Sequence, residues 1–196
     1  MIRLSTALAA ALALAACGQP SEPADPAPPA AETPASSDAL TAQGWGPLRI
    51  GMTRDEITQA LGPDADPEAV GGPDPETCDQ YRPERAPEGM LLMLEQGVLT
   101  RISLVRDATL TTDRGFGLGA PAAEVKAAYG DTAQVSPHKY ADAPAEYITV
   151  WSDGPSSEPY REDPAVRGVV YEIGTDGSVS MIHAGGPSIQ YVEGCA

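Results

Sequence analysis

The stretch Leu48-Arg49-Ile50-Gly51-Met52-Thr53-Arg54-Asp55-Glu56-Ile57-Thr58-Gln59-Ala60-Leu61-Gly62 recurs 68 residues later as Phe116-Gly117-Leu118-Gly119-Ala120-Pro121-Ala122-Ala123-Glu124-Val125-Lys126-Ala127-Ala128-Tyr129-Gly130. A glycine, a glutamate and the closing glycine fall in register, which is the mark of an internal repeat. In the first copy Thr53 and Glu56 have the spacing of a capping box, and Ile57, Ala60 and Leu61 make an apolar stripe at helical spacing. Gly62 supplies the stop, because glycine adopts positive φ without steric cost. In the second copy Pro121 opens the helix, Val125, Ala128 and Tyr129 repeat the stripe, and Gly130 closes it. Helices this short need a sheet to pack against.

Strand-like runs follow each copy. After the first come Asp79 to Arg82, Met90 to Leu94, a Glu95-Gln96-Gly97 turn and Leu99 to Val105. After the second come Tyr147 to Trp151, Val169 to Ile173, a Thr175-Asp176-Gly177 turn and Val179 to Ala184. Here the offset is 80 rather than 68, so the second copy carries about a dozen extra residues, assigned to the Ser152 to Pro164 loop. The fold class is therefore α+β: two repeats of a short helix followed by three or four antiparallel strands, helices on one face of the sheet. Repeat 1 spans about 44–111 and repeat 2 about 112–196.

The segment Ile50-Gly51-Met52-Thr53-Arg54-Asp55-Glu56-Ile57, with Ala60-Leu61-Gly62, resembles the opening of the small lipoprotein of the outer-membrane β-barrel assembly machinery. Its tandem use resembles the two-repeat β-lactamase inhibitory protein. The resemblance covers nearly the whole domain and is carried by packing and capping residues. It implies helices on one face of an antiparallel sheet and an opposite face open to a protein partner. The second copy departs from the motif, with Ala120-Pro121 standing for Met52-Thr53, and no inhibitor-specific contact motif is present, so β-lactamase binding does not carry over.

Strand alternation points to the same open face. If Ile102, Leu104 and Ile182 face the helices, then Arg101, Met181 and His183 face away. Tyr147 and Trp151 do likewise if Ile148 and Val150 face inward. Arg101, Tyr147, Trp151, Met181 and His183 are thus the candidate binding residues, since aromatics, Arg and Met are enriched at interface centres. The competing reading packs the same side chains beneath loops or between the two halves.

The N-terminus reads as an address. Met1-Ile2-Arg3 is a short positive region, Leu4 to Leu14 is a run of Leu, Ala and small residues, and Leu14-Ala15-Ala16-Cys17-Gly18 resembles the lipobox of bacterial lipoproteins. Residues 1–16 are then a lipoprotein signal peptide and Cys17 the lipidated first residue of the mature chain, anchored by several acyl chains. Gly18, rather than Asp, follows the cysteine, and by that resemblance the chain is directed to the outer membrane, facing the periplasm. From Cys17 to residue 43 the composition is Pro, Ala, Ser and scattered acid, the makeup of a disordered tether. The domain proper is expected over 44–196.

Setting Cys17 aside leaves Cys78 and Cys195, which an oxidising periplasm should pair. Closing so long a loop is worth about 4 to 5 kcal/mol in the chain-entropy account. The chain carries a formal charge of −16, and residues 44–196 hold 24 acidic against 11 basic side chains. That balance argues against nucleic acid, whose affinity comes from Lys and Arg on phosphates, and it favours cationic partners.

Catalytic and metal readings find little footing. His138 lies in a polar stretch, His183 near the C-terminus, and neither belongs to a spaced catalytic motif. Asp64, Asp66, Glu68, Asp74, Glu76 and Asp79 crowd one loop, but Pro67, Ala69 and Pro75 break the calcium-loop template. No catalytic residue, metal or cofactor is expected. The expected function is a lipid-anchored periplasmic binding module recognising a protein or envelope component. An accessory lipoprotein of outer-membrane protein assembly is the alternative, followed by a hydrolase using His138 or His183.

Overall fold

A computed structural model describes residues 38–69 and 71–195; the expected signal peptide, the expected lipidation site Cys17 and residues 18–37 of the expected tether lie outside the described residues. The elements, in order, are β1 (Gly44–Trp45), β2 (Leu48–Arg49), α1 (Arg54–Leu61), β3 (Cys78–Tyr81), β4 (Met90–Glu95) and β5 (Val98–Leu104). Then come α2 (Ala122–Tyr129), β6 (Gln134–Pro137), β7 (Glu146–Trp151), β8 (Gly168–Ile173) and β9 (Val179–Gly185). β1 and β2 form a small hairpin, and the other strands form one antiparallel sheet in the order β3-β4-β5-β9-β8-β7-β6. Two short helices on a seven-stranded antiparallel sheet make this an α+β fold.

Local sequence explains both helix starts. The Thr53 hydroxyl accepts the Glu56 amide, and the Glu56 carboxylate accepts the Thr53 amide at 2.8 Å, so two orphan donors are satisfied reciprocally, worth about 1 kcal/mol. α2 has Pro121 at its N-cap with no side-chain cap. α1 buries Ile57 and Leu61, and α2 buries Ala122 and Val125. Ala128, expected on the α2 stripe, is exposed, whereas Tyr129 beside it packs against the core with its hydroxyl 2.8 Å from that of Tyr171.

One core cluster joins those helix residues to Leu92, Leu94, Ile102, Leu104, Ile148, Tyr171 and Ile182. Both helices therefore cover the same sheet face. β-bulges keep the core residues in phase. Leu94 pairs with Leu99 and Met93 with Arg101, leaving Thr100 as the extra residue, so Leu99 and Ile102 share the helix side. Ser180 plays the same part in β9, where Ile173 pairs with Val179 and Glu172 with Met181.

Packing begins upstream of the expected boundary at Gly44. Leu40 is fully buried in the core and its amide donates to the Thr111 carbonyl at 2.9 Å. Two apolar residues, Leu40 and Ala42, fasten this end, and the Ala-rich composition around them masks it in the sequence. β6 is the other unanticipated element: with Val135 as its one bulky apolar residue and most of its side chains exposed, it lacks the alternation of a half-buried strand.

Candidate functional site

The face away from the helices is not bare. Beyond β9 the chain turns through a short 3-10 segment, Pro187–Gln190, and runs on across that face to Cys195, which is bonded to Cys78 on β3 with their Cα atoms 5.4 Å apart. Beneath this strap lies Arg101, whose guanidinium donates to the carbonyls of Ser188 at 3.2 Å and Tyr191 at 2.8 Å. Burial draws its pKa down to about 10, against the pull of Glu95 and Glu172. Gly185 permits the crossover: at φ 150° a side chain there would strike the Thr100 carbonyl.

The loop between β7 and β8 covers the other half. Arg161 forks onto Asp153 with two contacts of 2.7 and 2.6 Å and lies 5.3 Å above the ring of Trp151. Trp151 packs with Val166, Val170 and Ile189 in a second, smaller core. The absent side chain of Gly168, its cross-strand partner, leaves room for the indole. Gln190 stitches strap to loop, accepting the Arg161 amide at 3.0 Å and donating to the Arg161 carbonyl at 2.9 Å.

These coverings correct the open-face expectation. Arg101, Trp151 and His183 do lie on the face away from the helices, but they are 4%, 4% and 8% exposed. Tyr147 and Met181 are half-buried. The physical reason is that the 187–195 strap and the 152–166 loop supply the cover that strand alternation alone cannot reveal. Of the five, Tyr147, Trp151 and His183 meet in one cleft, whereas Arg101 sits under the strap and Met181 lies outside.

That cleft, of about 520 Å³, opens between the sheet β6-β7-β8-β9, the loop around Tyr160 and the strap at Tyr191 and Val192. Its size suits a ligand or a bound side chain with its flanks. At its base is Glu172, facing two imidazoles: His138 Nε2 at 3.3 Å and His183 Nε2 at 3.8 Å. Burial alone would raise the Glu172 carboxyl, but the two imidazoles outweigh it and hold the group below the ordinary glutamate range. His183 is pushed the other way. Its burial, with the Arg101 charge adding to it, outweighs Glu172 and lowers its pKa, so the ring is neutral at pH 7.

The His183 tautomer follows from its neighbours. With Nε2 toward the carboxylate, the proton sits there, and Nδ1 accepts from the Ser103 hydroxyl at 2.8 Å. His138 stacks on Tyr147, ring centroids 4.8 Å apart and planes 18° apart. The base of the cleft is thus an anion held in a fixed polar frame, walled by aromatic rings.

Glu172, Tyr160, Tyr191, Val135 and Val192 escape the alternation argument. Glu172 alone left a signal: it is the single charge inside Val169-Val170-Tyr171-Glu172-Ile173. The others sit in stretches without periodicity. No family model, curated protein or solved structure matches the chain.

Proposed function

We propose that this chain is a lipid-anchored binding module of the outer membrane, facing the periplasm, that recognises a protein or envelope component through the cleft above Glu172. One observation carries the reading. Of the large apolar side chains exposed among the described residues, Val135, Tyr160, Tyr191 and Val192 all line this cleft, and Tyr140 follows Lys139 on its rim. Apolar exposure gathered at one concave place, rather than scattered, is what recognition surfaces show. The lipid anchor rests on the sequence around Cys17.

We also read the domain as a duplicated unit. Gly51, Leu99 and Arg54 donate their amides to the carbonyls of Leu99, Met52 and Gly97. Their counterparts Gly119, Val179 and Ala122 donate to Val179, Ala120 and Gly177 in the same pattern. The bulges at Thr100 and Ser180 fall at the equivalent place in each half. These correspondences favour two copies of a helix and a three-stranded meander, the second with β6 and a longer β7–β8 loop. The accessory role in outer-membrane protein assembly has the motif resemblance alone behind it. Hydrolysis has less: Ser103, the hydroxyl beside His183, is 1% exposed and does not line the cleft.

The test is quantitative copurification from native envelopes of the anchored chain, its Tyr160→Ala/Val192→Ser variant and a helix-face variant, Ala123→Ser. A partner retained by the first and third and lost by the second supports the reading. Equal recovery in all three contradicts it. Cys17→Ser should abolish labelling by a palmitate analogue, and unchanged labelling would remove the anchor.

A further inference from the structure

Resting on the cleft as the recognition site, we infer that its occupant is a polypeptide segment presenting a lysine side chain, whose ammonium meets Glu172 while its stem lies between the exposed rings of Tyr160 and Tyr191. Three observations converge on this. The first is charge. Glu172 is the anion at the cleft base, Glu158 also lines the wall, and Lys139, the basic residue that lines it, is drawn off to Glu193 at 3.3 Å. His138 and His183 flank the carboxylate at 3.3 and 3.8 Å, and no lysine or arginine side chain pairs with it among the described residues. An ammonium with an apolar stem matches a carboxylate set behind aromatic walls, since ring faces attract cations and the stem buries apolar area.

The second is the sheet edge. β6 closes the sheet order, and no strand pairs with its outer side among the described residues. Gln134, Val135, Ser136 and Pro137 also line the cleft. An extended segment running beside β6 would gain main-chain hydrogen bonds while passing a side chain into the cleft, the strand-addition mode of peptide recognition. The His138 amide donates to the Ala145 carbonyl in the same register, so the outward backbone groups of β6 are those of Val135 and Pro137, and of these Val135 alone offers an amide. The third is the field of the domain: 24 acidic against 11 basic residues over 44–196 attract a basic segment and hold off an acidic one.

Two peptides differing in one terminal group isolate the ammonium: acetyl-Phe-Lys-Phe-amide and the same peptide with norleucine for lysine. Each is titrated into the full chain and followed by ¹⁵N–¹H NMR at the Trp151 indole and the β6 amides. The lysine peptide should bind about fivefold or more tightly than the norleucine one. Glu172→Gln should reduce it to the norleucine level. Equal affinities for the unaltered chain, or no shift with either peptide, would overturn the inference. The unaltered chain alone decides this if Glu172→Gln fails to fold. Envelope capture that depends on Tyr160 and Val192 but shows no preference for lysine would leave the binding module standing without this occupant.

Discussion

The Arg101 guanidinium lies 2.8 Å from the Tyr191 carbonyl, and through that contact a buried cation on β5 holds down the strap that forms one wall of the cleft. Arg101→Met should leave the Ser188 and Tyr191 carbonyls without their donor, at a cost of about 1 to 3 kcal/mol, most of it at the buried Ser188 contact. Denaturant midpoints measure this. Amide exchange over residues 187–195 should rise in the same variant, whereas unchanged exchange would mean that the strap is held elsewhere.

The strap has a second fastening, Cys78–Cys195, with 117 residues of sequence separation. Replacing both cysteines by serine should lower stability by about 4 to 5 kcal/mol through the enlarged unfolded ensemble. Thermal melts of the unreduced chain and the double variant give the comparison. Matching melts would show that the bond contributes little to the fold.

Trp151 and Tyr160 border the same cleft from opposite sides of the surface, one 4% and the other 54% exposed. Trp151→Ala should therefore cost about 3 to 5 kcal/mol by emptying the small core over Gly168. Tyr160→Ala should change stability by about 0.5 kcal/mol or less while weakening partner recovery. A Trp151→Ala chain as stable as the parent would refute its placement in that core.

How far this was legible in the sequence depends on which force positions each residue. The two helices and β4, β5, β7, β8 and β9 follow from apolar periodicity, and Thr53 and Glu56 announce their cap. Alternation also sorts Arg101, Trp151 and His183 onto the right face. Their cover was hidden, because residues 152–166 and 187–195 are rich in Pro, Gly and polar groups and are held by specific side-chain contacts, among them Gln190 with Arg161 and Arg101 with two carbonyls, together with the Cys78–Cys195 bond. No periodic signal encodes such contacts. β6 was hidden for a related reason: an edge strand exposed on most positions need not alternate.

His183 gives the fold a pH signature. Its pKa is lowered from 6.5 by burial, so the unfolded chain takes up a proton on acidification before the folded chain does. Stability from this group is full above pH 6.5 and falls as the pH drops below it, with a slope of at most about 1.4 kcal/mol per pH unit. Glu172, also lowered, adds its own loss only below its ordinary 4.5, so the interval between the two belongs to the histidine. His183→Gln should flatten the stability profile in that interval. A parallel profile would mean the ring is protonated in the folded chain.

Position-specific photocrosslinking in native envelopes reports directly on binding through the cleft above Glu172. A benzophenone amino acid at Tyr160, on the cleft rim, is compared with one at Ala123, exposed on the helix side. Binding through the cleft should give one discrete adduct from position 160 that is absent from position 123 and is lost when Glu172→Gln is added. The same adducts from both positions, or an adduct from position 123 alone, would contradict it.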